Sequence, residues 1–397
     1  MSARTGPLRD VRILDCTQAL AGPYCTMLLA DLGADVVKVE PPRGDMARAL
    51  GPRPKDREGC DYGGYFASIN RNKRSIVLDL KDAGDREVFL RLVESADAVV
   101  ENARVGVMDR LGIGYEALRV RNERLVYVAI RGFGDPRTGR SPYAEWPAFD
   151  IVAQSMGGMV GLTGPRGSTG MPAGASVGDL FPGTLAALGL VSALLSARGS
   201  GRGQFVDVAM YDAVLSLCEN IVYKYAADGT VEQPKGQGHP VLCPFDVYET
   251  NDGGVAIAAP AEPHWKLLCE AMGRSDLVAD ERTCNVFARN ANRDFTNAAI
   301  LDWTRERSRR EVVEALGGRV PVGPVQLADD IFRDPHATLR SMLVEVAQPG
   351  ANPPLTVAGA PIKLSETPSG IYRRPPLVGE HTDEVLAEAG IPRKENS

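Results

Sequence analysis

The chain has 397 residues, 44% apolar and 24% charged, a balance that suits an ordinary globular protein with a large core and excludes a disordered one. A net charge of −6 argues against a general nucleic-acid binder, yet leaves room for a local basic pocket that takes a phosphorylated ligand. Seven scattered cysteines without a C-x-x-C pair suggest reduced thiols in a cytoplasmic protein. The charged first ten residues show no signal-peptide pattern, and the absence of a long uninterrupted apolar run leads us to expect no membrane span.

Residues 11–15 read as a buried strand. A helix opening at Ala21-Gly22-Pro23 runs to about 32, is ended by Gly33, and leads to a strand over 36–40, which completes a β-α-β unit. Residues 41–70, rich in proline, glycine and aspartate, read as a long loop. Strands follow at 75–80, 98–101 and 125–130, with helices at 82–95 and 114–122 between them. Such alternation predicts a doubly wound α/β domain. A further segment at 149–162 precedes a glycine-rich loop to Gly174. Asp179 then stands just ahead of an apolar helix over 184–198, with Pro182 near its first turn and Gly199 past its end. A tight turn at 199–203 leads to a strand over 204–209, and a helix over 210–226 leaves the domain. The pattern then changes to a hairpin, 245–250 and 254–259, turned at Asn251-Asp252-Gly253, with helices at 264–272, 294–306 and 309–316. Short strands at 344–346 and 355–358 and a helix at 383–389 close the chain. The expected organisation is a large α/β domain (1–209), a connecting helix and linker (210–240), a smaller α+β domain (241–325) and a C-terminal segment (326–397).

The first β-α-β unit ends in Glu40, where a ribose-binding carboxylate would sit. Its turn, Thr17 to Pro23, lacks G-x-G-x-x-G, and Leu20 and Pro23 would obstruct a pyrophosphate, so dinucleotide binding is set aside. Asn70-Arg71-Asn72-Lys73-Arg74 reads first as a solvated turn. Together with Asn102-Ala103-Arg104 at a strand's carboxyl end and Arg110 beyond it, it could instead help to cradle phosphates. Four histidines (239, 264, 336, 381) are far apart and show no metal-binding spacing; G-x-S-x-G is absent; Cys25 lies on an apolar helix face and reads as packing. Carboxylates are left to carry any chemistry. Asp150 reads equally as a helix N-cap. Asp179, favoured by free N–H groups and the helix dipole, should stay ionised, and could cap the helix, bind a cation or attack an electrophile.

Several stretches resemble the family III CoA-transferases. They include Leu14-Asp15-Cys16-Thr17 through Pro23, Ala30-Asp31-Leu32-Gly33-Ala34-Asp35 through Glu40, Asn72-Lys73-Arg74-Ser75, Val107-Met108-Asp109-Arg110-Leu111-Gly112, Gly201-Arg202-Gly203-Gln204, Leu364-Ser365-Glu366-Thr367-Pro368 and Val378-Gly379-Glu380-His381-Thr382. The resemblance implies a Rossmann-like large domain, a small domain and an interlocked ring-like homodimer. It implies that Asp179 is a nucleophile attacking an acyl-CoA thioester, with Asp150 as a second carboxylate and nearby glycine N–H groups stabilising the oxyanion. Coenzyme A would enter as substrate, with no permanent cofactor, along Ala19, Leu20, Arg43, Arg74, Leu78, Asp79, Leu80, Lys81, Asn102, Ala103, Arg104 and Arg110. The chain departs from the formyl-CoA enzymes at Leu20 (a glutamine there), Ala103 (often aromatic), Pro147 (basic) and the shorter glycine loop 236–240, which points to an acid larger or less polar than oxalate. Racemases on this fold place a histidine before the aspartate that Asp150 matches. Phe149 cannot accept a proton, which disfavours that alternative; a non-catalytic acyl-CoA binder would not need Asp179.

Overall fold

The computed structural model describes residues 4–52, 60–349 and 353–392. They form two compact units, Met1–Met159 with Pro172–Thr230 and Pro335–Ser397, and Val160–Met171 with Val231–Asp334. The boundaries differ from those expected. The helical stretch after residue 210 belongs to the first unit, while residues 160–171 and 326–334 belong to the second.

The first unit is built on six parallel strands: β1 (Arg12–Cys16), β2 (Asp35–Glu40), β3 (Arg74–Val77), β4 (Ala98–Glu101), β5 (Val126–Arg131) and β6 (Phe205–Ala209). Their order is β3-β2-β1-β4-β5-β6. Leu14 pairs with Val37 on one side of β1 and with Val99 on the other, so the order reverses at the β1/β4 junction. In open α/β sheets the crevice at the carboxyl ends of the strands flanking that junction receives the ligand. Every residue of β2, β4 and β5 is buried, as expected of a parallel sheet covered on both faces. Leu14, Val37, Ile76, Phe89, Val99 and Tyr127 belong to its main core cluster. Each such side chain withdrawn from water contributes about 1.5–3 kcal/mol.

The helices that matter for the site are α1 (Ala21–Asp31), α2 (Gly64–Ile69), α3 (Ala83–Val93), α4 (Asp150–Met156) and α5 (Val177–Ser200). Asp82 caps α3 by accepting the N–H groups of Gly84 and Asp85. The stretch read as a long loop contains α2 and a 3-10 turn, Met46–Ala49; residues 53–59 of that reading lie outside the described residues. Tertiary packing overrides the loop-like composition here. Phe66 is fully buried and carries the Arg48 guanidinium 3.8 Å above its ring. The helix read over 210–226 is two, Met210–Leu217 and Glu219–Asp228, separated at Cys218.

The cluster at 70–74 is not a solvated turn. Arg71 pairs with Asp31 at 2.7 Å, Lys73 with Asp15 at 2.9 Å, and Arg74 with Asp35 at 2.6 Å. All five residues are buried, and their charges are matched by carboxylates on β1, α1 and β2. Arg74 also reaches Glu384 and Glu388 on the helix Thr382–Glu388, fastening the C-terminal segment to β3. Removing one partner of a buried pair of this kind costs about 3–5 kcal/mol.

By length and composition α5 is apolar enough to cross a membrane. The expectation of no such segment rested on uninterrupted apolar residues, whereas here Gly, Ser and Thr interleave with Ala and Leu. One face, including Ala186, Leu190, Ala193 and Ala197, is buried, and the helix packs on α1 and β5. It begins at Val177 rather than 184 and runs past Gly199 to end at Gly201, whose φ of +74° suits a glycine stop.

The second unit carries an antiparallel sheet of β7 (Phe245–Thr250), β8 (Gly253–Ala258) and β9 (Val322–Pro324), in that order. The helices Glu262–Met272, Arg293–Thr304 and Arg309–Leu316 pack on it around Trp265, Leu268, Ile300 and Val312. The strand β9 offers no alternation that a pattern could detect. Arg289 is fully buried and paired with Glu262 at 2.9 Å.

Candidate active site

The carboxyl ends of β1 and β4 are tied together by one side chain. Asn102 accepts the N–H of Gln18 at 2.9 Å and donates to the Gln18 carbonyl at 2.8 Å. Its amide is therefore engaged in joining the two loops at the switch point. The following residue is fixed from below: Glu101 accepts the Ala103 N–H at 2.7 Å, and Arg131, paired with Glu101 at 2.6 Å, donates to the Ala103 carbonyl. Burial pushes the Glu101 carboxyl up to about 7 against the opposing effect of Arg131.

The β1–α1 turn is held from the other side. Ala19 adopts a left-handed conformation (φ +66°), unusual for a residue with a side chain, and donates its N–H to Asp45 at 3.2 Å. Asp45 also faces the buried Lys38 ammonium at 2.8 Å, which in turn donates to the Thr17 carbonyl at 2.8 Å. Leu20 is buried with Met27 and Ile69, and Tyr24, Tyr65 and Leu180 pack around them.

Leu180 brings in α5 and Asp179. A Cβ on Gly183 would lie 2.6 Å from the Ala21 carbonyl, and one on Gly178 would lie 2.6 Å from that of Asp150. Only glycine lets the first turns of α5 sit so close to α1 and α4. Asp179 thus occupies the first turn of the helix rather than the residues ahead of it. It is half-buried, and its carboxylate has no hydrogen-bond partner among the described residues. Asp150 accepts the Gly178 N–H at 2.7 Å, and Gln154 holds both its oxygens, at 3.0 and 2.9 Å. Asp150 is the first residue of α4; Phe149 is the cap residue, and its ring is exposed.

Two expectations are corrected here. Asp179 does not simply stay ionised: burial first, and the neighbouring Asp150 second, push its carboxyl from 3.8 up to about 7. The N–H groups expected to favour the anion are taken. That of Val177 goes to Ala175, that of Gly178 to Asp150, and those of Asp179 and Leu180 to the Ser176 carbonyl. For the same reason the Gly178 N–H is not free to stabilise an oxyanion.

Among the residues expected along the ligand, Arg43, Lys81, Arg104 and Arg110 are exposed cations that follow the carboxyl ends of β2, β3 and β4. Asp79 turns the chain into α3, accepting the Lys81 N–H at 3.1 Å, and Leu80 packs partly against the core. Two are taken up by the interior. The Arg74 guanidinium is consumed by Asp35, Glu384 and Glu388, and the Leu78 side chain is in the core. A resemblance matches positions along the chain but not the direction of a side chain. Asp45, Tyr65 and Gln154 were not singled out from the sequence. For Gln154 a signal existed: it stands four residues after Asp150 on an amphipathic helix. Tyr65 is half-buried, and its hydroxyl is pushed up by burial and then by Asp179, Asp45 and Asp150. No group of three or more His, Cys, Asp or Glu suited to a metal occurs among the described residues.

A family model described as CoA-transferase family III matches residues 8–382. Succinyl-CoA:mesaconate CoA-transferase of Haloarcula hispanica is 50% identical over 97% of this chain and 97% of its own length. Succinate–glutarate CoA-transferase of Agrobacterium fabrum is 35% identical over 98% of this chain and 97% of its own. The crystal structure of a CAIB/BAIF family protein from Brucella suis superposes with a TM-score of 0.87 at 33% identity, covering 97% of this chain and 100% of that one.

Proposed function

The chain belongs to CoA-transferase family III, and from that premise we propose that it exchanges coenzyme A between a succinyl-type thioester and a short dicarboxylic acid, with Asp179 as the covalent nucleophile. The observation that carries this reading is the state of Asp179: a half-buried carboxylate without a hydrogen-bond partner among the described residues, placed by α5 beside the β1–α1 turn.

The Asp179 carboxylate attacks the donor thioester carbonyl, expels CoA thiolate and forms a mixed anhydride. The thiolate attacks the aspartyl carbonyl of that anhydride, releasing the donor acid and leaving an aspartyl-CoA thioester. The acceptor carboxylate displaces the thiolate again to give a second anhydride. Thiolate attack on its acyl carbonyl then yields the new acyl-CoA and restores Asp179. A carboxylate with its pKa near 7 suits both halves: it is a better nucleophile than an ordinary one and still a competent leaving group. Arg43, Lys81, Arg104 and Arg110 supply positive charge for the CoA phosphates, and the wall of Leu20, Tyr24 and Leu180 favours an acid with an apolar segment.

The homodimer is part of the same reading. Leu188 (63% exposed), Val191 and Leu195 (73% exposed) form an apolar stripe on the outer face of α5 that a second copy would cover.

The test is a coupled assay with succinyl-CoA and a panel of four- and five-carbon dicarboxylic acids, read by mass spectrometry of the thioesters. Formation of the acceptor's thioester with loss of succinyl-CoA is expected. Exchange of an α-proton in heavy water without thioester transfer would make it a racemase instead.

A further inference from the structure

Gln154 has no side-chain exposure, and every polar atom it carries is spent on the turn that bears Asp179. Its amino group lies 3.0 and 2.9 Å from the two oxygens of Asp150, and its carbonyl accepts the N–H of Ala173 at 2.8 Å. The partners fix the amide's orientation, because a carboxylate needs the donor and a backbone N–H needs the acceptor. Asp150 passes the constraint on through its 2.7 Å bond to the Gly178 N–H. One carboxamide therefore grips the chain on both sides of residues 174–177, at Ala173 directly and at Gly178 through Asp150. Gly178 closes the clamp, since any side chain there would strike the Asp150 backbone.

A leucine or methionine would fill this space without the cost of desolvating an amide. Packing alone therefore does not explain the residue. We propose that Gln154 is a positioning residue for the transfer reaction: it sets the place of Asp179 relative to the bound thioester by clamping the start of α5 to α4. It touches neither the nucleophile nor, being fully buried, the substrate. The inference rests on the reading of Asp179 as the nucleophile.

The experiment compares wild type with Q154L, Q154E and D179A in steady-state transfer, with thermal unfolding as the control for folding. In Q154L the clamp is gone; kcat should fall about 10–100-fold, the range expected from a displacement of about 1 Å, while KM for the acyl-CoA stays within about twofold. Q154E keeps the volume and the acceptor for Ala173 but faces Asp150 with an oxygen. It should lose more activity than Q154L at pH 8, and regain it relative to wild type at pH 6, where one proton can be shared between the two carboxyls. Asp179 also titrates in this range, whereas Tyr65, its hydroxyl pushed up from the ordinary phenol value, keeps its proton, so each variant is compared with wild type at the same pH. If both variants fold and keep kcat within twofold, or if KM rises while kcat holds, the proposal is overturned; if Q154L does not fold, Q154E decides alone. An active D179A would instead remove the reading on which the proposal rests, whereas an inactive D179A with wild-type-like Gln154 variants removes the proposal only.

Discussion

The carboxylate of Asp150 accepts the N–H of Gly178 at 2.7 Å, one residue before Asp179. That bond takes a helix-end donor away from any anion nearby and sets one negative charge close to another. Added to the burial of Asp179, which acts first, the neighbouring charge pushes its carboxyl up to about 7, and the proposed nucleophile would titrate near neutrality.

The pH profile follows. With the Asp179 carboxyl pushed up to about 7, the reactive anion forms as pH rises through that value, so kcat/KM for the donor should increase from pH 5.5 to 8.5 with a midpoint near 7. In D150N the second cause of the shift is removed while an oxygen remains for Gly178. The midpoint should move to lower pH, by about half a unit or more. An unchanged midpoint in D150N would show that Asp150 does not act on Asp179.

Stability should move the other way. Asp179 holds its proton in the folded state up to about 7 and releases it in the unfolded state near the ordinary 3.8. Between these values the folded state binds the extra proton, so this residue's contribution is full below about pH 4 and is lost as pH rises through 7. D179N escapes that loss. It should be more stable than wild type at pH 8, by about 1–2 kcal/mol after allowance for partial exposure, and the gain should vanish near pH 4. Thermal unfolding at the two pH values checks the sign.

The cations divide into two kinds. R104A and R110A should raise KM for the CoA substrates by about tenfold each, with smaller effects in high salt and little change in kcat. R74A should instead unfold easily, losing about 3–5 kcal/mol, because Asp35 would be left buried without its closest partner. Titration of CoA binding beside denaturant unfolding separates the two outcomes.

The proposed dimer is tested on the outer face of α5. The native mass should be that of a dimer, and placing aspartate at both 188 and 195 should abolish it. Sedimentation at several concentrations reads this directly; a folded monomer that transfers CoA at full rate would contradict it.

The frame of the sheet was legible because its strands are short, largely apolar runs that alternate with helical stretches. The β1-α1-β2 unit and β4 lie within one residue of where the pattern puts them. The hairpin of β7 and β8 was announced by Asn251-Asp252-Gly253 in the same way. What escaped was set by distant partners. Nothing local in Asn70 to Arg74 reveals that Asp15, Asp31 and Asp35 wait to neutralise it, so composition alone suggests a surface turn. The start of α5 was missed because Pro182 looks like a first-turn residue, although the helix tolerates it one turn in. Asp179 stood out as a carboxylate, but its protonation depends first on burial against the folded core, then on Asp150, 29 positions away in the chain, with nearby donors already taken by Ser176 and Asp150.

The most direct measurement is the covalent state of Asp179 itself. Enzyme incubated with succinyl-CoA and quenched with hydroxylamine or borohydride should yield a single modified peptide, the one holding Asp179, with a mass change matching conversion of that carboxyl to its hydroxamate or alcohol. D179A should show none and transfer no CoA. Turnover with an unmodified Asp179 peptide, or modification at another residue, would contradict the assignment.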